Sequence, residues 1–170
     1  MKGFSEDAEI NLIISKTLAL KLNSVKKLRY GKNYYVLYNP QNVDSWRKYI
    51  LSENEIARRR KLLGINDNDI VIGRLGRAEP VKVDYLLLKS APLIAKKFPN
   101  VKFIFWGLPK LYKFFLERNK HLAGRVVFMP QISDDEKVAE FYQIIDILWH
   151  TACRGETFGN VITEAMIFKK

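Results

Sequence analysis

A parallel α/β sheet, doubly wound and covered by helices on both faces, is the fold class this sequence predicts. The first observation behind it is the order of patterns: short β-branched and aromatic runs alternate with longer stretches of helical period along most of the chain. The second is that two of the helical stretches open on a Ser-x-x-Glu box, Ser52 with Glu55 and Ser133 with Glu136, which satisfies backbone N–H groups at a helix start. The third is size and content. The 170 residues, 48% of them hydrophobic, suffice for one sizeable core.

In chain order, Glu9 to Ser15 reads as a strand and Lys16 to Lys26 as a helix, followed by a basic connector from Lys26 to Lys32. Residues 1–32 are therefore expected to be the remnant of a preceding domain, and residues 33–170 the main α/β domain. Its strands are expected at Tyr34 to Tyr38, Ile70 to Arg74, Val101 to Trp106, Arg125 to Met129 and Asp146 to Trp149. Helices are expected at Ser52 to Leu63, Asp84 to Phe98, Leu111 to His121 and Ser133 to Ile144. Val161 to Lys170 reads as a helix still in progress without a C-cap, so the domain is expected to be incomplete at its C-terminus.

Composition narrows the function classes. The single cysteine, Cys153, excludes an internal disulfide and a cysteine-based metal site, and points to a reducing, cytoplasmic setting. No apolar run approaches the ~18 residues of a membrane span. The net charge of +11 favours an anionic partner: a phosphorylated small molecule, nucleic acid, or anionic lipid at a peripheral membrane contact. Asp67-Asn68-Asp69 precedes a strand and is read as a turn, and two histidines are too few for a metal site, so no metal is expected.

Right-handed crossovers in such a sheet place the ligand crevice beyond the C-terminal ends of the strands. The segments to inspect are thus Leu75 to Val83, Gly107 to Lys110, Pro130 to Ser133 and His150 to Asn160. In the last of these, Phe158, Gly159 and Asn160 form a glycine turn leading into a helix that begins near Val161, where free N–H groups suit a phosphate or a sugar hydroxyl. Glu156 and Glu164 flank this turn, and two carboxylates so spaced can accept hydrogen bonds from separate hydroxyl pairs of one extended ligand. Gly107 permits close approach after Val101 to Trp106, and the segment around Gln131 could read a base edge through its backbone.

The string Glu156-x7-Glu164 with Phe158-Gly159 between resembles the signature of family 4 glycosyltransferases, whose fold is GT-B, built from two Rossmann-like domains. Tyr38-Asn39-Pro40-Gln41-Asn42-Val43-Asp44 is similar to the family's hinge segment, Ile72-Gly73-Arg74-Leu75 to its next strand end, and Phe141-Tyr142-Gln143-Ile144-Ile145-Asp146 to the stretch before the signature. The resemblance implies a donor-binding half that holds a nucleotide diphosphate sugar for retaining, metal-independent transfer of hexosyl type, with no cofactor. It implies that Glu156 contacts the transferred sugar, that Glu164 contacts the ribose, and that Phe158, Gly159 and Asn160 meet the sugar or diphosphate. Either Arg74 or Arg77, with Lys82, would neutralise the diphosphate; Arg74 matches by its place after Gly73, Arg77 by its distance to Lys82. The glycan or lipid-linked acceptor would bind the missing N-terminal domain, so the fragment alone is expected to be inactive. The alternative is a basic Rossmann-like nucleic-acid-binding or regulatory module without transferase activity. The nucleotide and sugar stay open.

Overall fold

The computed structural model describes residues 10–23, 30–32, 34–131, 134–152 and 158–170. The chain divides into two compact units. Among the described residues, 10–41 and 158–160 belong to one, and 42–152 and 161–170 to the other.

In the smaller unit, strand β1 (Asn11–Ile13) leads into helix α1 (Lys16–Asn23) and pairs in parallel with β2 (Tyr34–Val36). Ile13, Ala19 and Leu22 form its core, with Tyr34 and Val36 packed against them. The expected strand and helix are both present among the described residues, β1 within Glu9 to Ser15 and α1 from Lys16 to Asn23. The boundary expected at residue 32/33 is corrected, because β2 finds its hydrogen-bond partner in β1 and joins the N-terminal unit. The division falls at residue 41/42.

The larger unit begins with the short helix α2 (Val43–Arg47), which the sequence reading did not include; Asn42 caps it by accepting from the Ser45 N–H at 3.2 Å. Helix α3 (Glu53–Leu62) follows with its expected capping box in place: Ser52 Oγ accepts from Glu55 N, and Glu55 Oε2 accepts from Ser52 N. Then come β3 (Ile70–Leu75), a 3-10 turn at Pro80–Lys82, α4 (Leu86–Lys97), β4 (Val101–Trp106), α5 (Lys110–Glu117), β5 (Val126–Met129), α6 (Asp135–Ile144), β6 (Ile147–Leu148) and α7 (Asn160–Ile167). Four parallel strands stand in the order β5-β4-β3-β6.

Side chains alternate along β4 and build a core on each face. Val101, Phe103 and Phe105 pack with Leu87, Ala91 and Ala95 of α4 and Leu116 of α5. Ile104 and Trp106 pack on the opposite face with Val71, with Phe141, Tyr142 and Ile144 of α6, and with Ala165 of α7. A parallel sheet buried on both faces has this pattern.

Two helix ends differ from expectation. The cap of α6 is Asp134, which accepts from Lys137 N at 3.1 Å, one residue later than the Ser133 box; Ser133 itself lies outside the described residues. Helix α7 is closed: Lys169 adopts φ 60°, with hydrogen bonds from Lys170 N to Ala165 O and from Lys169 N to Met166 O. That is a Schellman turn, in which lysine takes the left-handed place usually held by glycine.

Candidate functional site

The sheet order fixes where a ligand can enter. From β3 the chain goes on to α4 on one face, while from β6, the neighbour of β3, it goes on to α7 on the other. Loops that part in this way leave a crevice at the C-terminal strand ends. The two loops touch where Asp84 N donates to Thr151 O at 2.7 Å.

A cavity of 310 Å³ opens beyond β3, β4 and β5, lined by Ala78, Gly107, Leu108, Lys113, Pro130 and Gln131 together with Phe105, Phe128 and Met129. This volume lies at the lower end of small-molecule pockets. Gln131 Oε1 accepts from Ala78 N at 3.2 Å, so the side chain bridges the loops after β3 and β5. Lys113 Nζ lies 5.1 Å from the centre of the Phe128 ring, which brings a cation to the wall of the cavity. Gly107, at φ +73°, brings its backbone so close to the loop after β3 that a Cβ there would stand 1.9 Å from Gly76 O. Gly107 and Gln131, both expected in the site, therefore line one cavity. Leu108 and Lys113, which line it too, carry no motif that would single them out in the sequence.

The three cations of the β3 loop separate sharply. Arg74 is 3% exposed. Its Nη1 donates to Trp106 O at 3.1 Å, to Gly76 O at 3.4 Å and to Gly107 O; its Nη2 donates to Arg77 O and Lys82 O, each at 3.1 Å. Burial pulls its pKa down to about 10, so it is still charged at neutral pH. Arg77 points outward, its side chain 60% exposed, and pairs at 2.9 Å with the exposed Glu79. Such a surface pair is worth only ~0–1 kcal/mol and yields readily to a competing anion. Lys82 is half-buried at the end of the 3-10 turn, its N–H bonded to Glu79 O.

Glu164 lies on α7, half-buried, and Oε2 accepts from the Tyr142 hydroxyl at 2.8 Å. The same hydroxyl stands 3.2 Å from Val161 O in the first turn of the helix. Burial raises the Glu164 carboxyl above its ordinary range; the Tyr142 hydrogen bond opposes this and Asp135 adds to it. Burial first, then the Glu164 charge, push the Tyr142 phenol upward. Sequence reading missed Tyr142 as the partner of Glu164, although it had quoted the segment that contains it.

In the smaller unit, Phe158 packs its ring 5.9 Å from that of Tyr38, and Asn160 Oδ1 accepts from Asn39 Nδ2 at 3.2 Å. The Tyr38-Asn39 segment, singled out for its hinge-like sequence, thus holds the turn around Gly159. Glu156 lies outside the described residues. The Asp67–Asp69 segment is a turn before β3, where Asp69 Oδ2 accepts from Asn66 N at 2.8 Å. Among the described residues, no helix is long and apolar enough to cross a membrane.

Residues 55–170 match the model of a family described as "Glycosyl transferases group 1". Among solved structures, HepE from Anabaena in complex with UDP superposes with a TM-score of 0.78 at 25% identity, over 96% of this chain and 43% of that one. Its complexes with UDP and glucose and with UDP-glucose each give 0.74. A glycosyltransferase from Rickettsia africae superposes at 0.73 with 19% identity, over 95% of this chain and 43% of that one. The C-terminal domain of LpcC from Francisella tularensis gives 0.57 with 21% identity, over 72% of this chain and 65% of that one. The last two likenesses show the fold alone. The chain spans less than half the length of HepE and of the Rickettsia protein. No curated protein sequence matches it.

Proposed function

Because the chain belongs to the group 1 glycosyl transferases, with the Rossmann-like α/β fold of a GT-B half, we propose that it is the part that holds the donor, a nucleoside diphosphate sugar. The observation that carries this reading is the cavity beyond β3, β4 and β5, bordered by the loop on which Arg77 and Lys82 stand. A base would sit between the backbone of Gly107 and that of Gln131, and the cations of the loop would meet a diphosphate. HepE, which shares the fold across 96% of this chain, holds UDP, UDP with glucose, and UDP-glucose, and that makes UDP the first ligand to try.

The chemistry follows from charge. As the bond between sugar and diphosphate breaks, negative charge grows on the leaving phosphate, and fixed cations lower the cost of that growth without reorganising at the moment of reaction. Arg77 offers a guanidinium fork and Lys82 a point charge. Glu164, held by Tyr142, accepts from ribose hydroxyls, and Val161, Asn160, Gly159 and Phe158 would meet the sugar or diphosphate. Glu156 is assigned to the transferred sugar by the family signature. Retention, metal independence, hexosyl transfer, an acceptor held by a further domain, and a cytoplasmic setting with peripheral contact at anionic lipid complete the proposal. So does low transfer activity of this chain on its own.

Calorimetric titration of the chain with UDP, GDP and ADP tests it. One nucleoside diphosphate should bind, raise the melting midpoint by mass action, and lose affinity in Glu164→Ala. Absence of binding to all three, with salt-sensitive binding to nucleic acid that Glu164→Ala leaves alone, would favour a nucleic-acid-binding module instead.

A further inference from the structure

We infer that Arg74 is a positioning residue of the donor site: it clamps the Gly76–Lys82 loop across the ends of β3 and β4, so that Arg77 is presented to the diphosphate. The inference rests on the donor-binding reading above and deepens it. Arg74 sits at the end of β3, yet its acceptors lie on both sides of the loop it precedes and on the neighbouring strand. Gly76 and Arg77 mark the entry of the loop, Lys82 its exit, and Trp106 and Gly107 the end of β4. Its two terminal nitrogens face five carbonyl oxygens, and the side chain is 3% exposed.

A guanidinium so engaged is not available to a phosphate. Turning it outward would strip donors from several carbonyls at once, each a charge-assisted hydrogen bond in a dry setting. The rest of the loop is tied as well. Ala78 N is held by Gln131 Oε1 at 3.2 Å, and Lys82 N by Glu79 O at 2.9 Å. The Arg77 side chain faces solvent, in an exposed pair with Glu79 that an anion can break. A planar fork with fixed geometry suits the clamp; a lysine would keep the charge but could not span the same carbonyls. Preorganising cations before the ligand arrives is worth binding energy, because their ordering has already occurred on folding.

The test is calorimetric titration of UDP and of uridine into the wild-type chain, Arg74→Lys, Arg77→Ala and the double variant, with melting curves for each. Wild type should prefer UDP over uridine. Arg77→Ala should lower UDP affinity about tenfold and leave uridine nearly unchanged. Arg74→Lys should cost UDP about as much although the charge is kept, and should cost less than about twofold when added to Arg77→Ala, since it acts through that residue. The ratio of UDP to uridine affinity is the informative quantity, because a purely structural role would move the melting point and leave the ratio alone. Additive losses in the double variant, or an unchanged ratio in Arg74→Lys, would overturn the assignment. Gly76→Ala repeats the test with Arg74 in place, and serves if Arg74→Lys does not fold: its methyl would stand 3.0 Å from Arg74 Nη2 and press on the clamp from the loop side. The same coupling with Arg77 is expected, and additivity there would overturn the assignment equally. Equal wild-type affinity for UDP and uridine would instead sink the donor reading, and this assignment with it.

Discussion

The two ends of the four-stranded sheet use charge in opposite ways. At the N-terminal end, Asp146 accepts from Val71 N at 2.7 Å and pairs with Arg60 at 3.1 Å, while Arg60 also donates to Asp69 O at 2.7 Å. Cation, carboxylate and strand backbone satisfy one another there, and the end is finished. At the C-terminal end Arg74 satisfies only carbonyls, and the exposed cation of Arg77 is held by nothing stronger than a surface pair. The difference is that one end holds strands together through a paired charge, while the other ties a loop down and leaves one of its cations exposed, as the proposed donor site requires. The strand direction decides which is which, since crossover loops part only beyond the C-terminal ends.

Three substitutions would break or sharpen this contrast. Gly107→Ala should have the largest effect: it puts a Cβ 1.9 Å from Gly76 O at a residue of φ +73°. We expect a loss of about 3 kcal/mol from strain and steric overlap, measured by denaturant unfolding, together with at least tenfold weaker UDP binding. A stable variant with unaltered UDP affinity would show that the close contact of the two loops is not needed. Asp146→Ala, at the opposite end, should cost about 2 kcal/mol by leaving Arg60 and the Val71 N–H without their carboxylate, yet leave UDP affinity within about twofold after correction for the folded fraction. An affinity change as large as that in Arg77→Ala would erase the distinction between the ends.

The smallest effect concerns pH. Glu164 has its carboxyl raised by burial above its ordinary 4.5. Between the unfolded and folded values the folded state binds more protons, so the contribution of Glu164 to stability is greatest below pH 4.5 and is lost as pH rises through the folded value. Glu164→Gln, which can still accept from Tyr142, should flatten that decline, with a gain at neutral pH below about 1 kcal/mol. Melting curves at pH 4, 5, 6 and 7, run at about equal spacing for both proteins, check it. Parallel profiles would mean that Glu164 is better solvated than its position on α7 implies.

Much of the fold was legible in the chain because it depends on neighbours a few residues apart. The β4 strand spans the residues read from sequence, Val101 to Trp106, because alternate large apolar side chains there have two cores to fill. The Ser52–Glu55 box works as read because both of its hydrogen bonds close within one turn. The α6 cap slipped by one residue because Asp134, like Ser133, is a good capping residue, and local chemistry separates such neighbours weakly.

The site was legible in its parts and not in its assembly. Strand and helix periodicity placed Arg74, Arg77 and Lys82 at and after the end of β3, Gly107 after β4 and Glu164 on a helix, while the family resemblance singled out the three cations. Which arginine faces outward was beyond both, because two of the acceptors that hold Arg74, Trp106 at the end of β4 and Gly107 just after it, are 32 and 33 residues away, and only the packed sheet brings them into reach. The same holds for Tyr142, 22 residues before the carboxylate it bonds, and for β2, whose strand character is local but whose partner β1 is not. Periodicity and capping are set by the chain's own next few residues; the direction of a buried polar side chain is set by whichever distant backbone group is left needing a hydrogen bond.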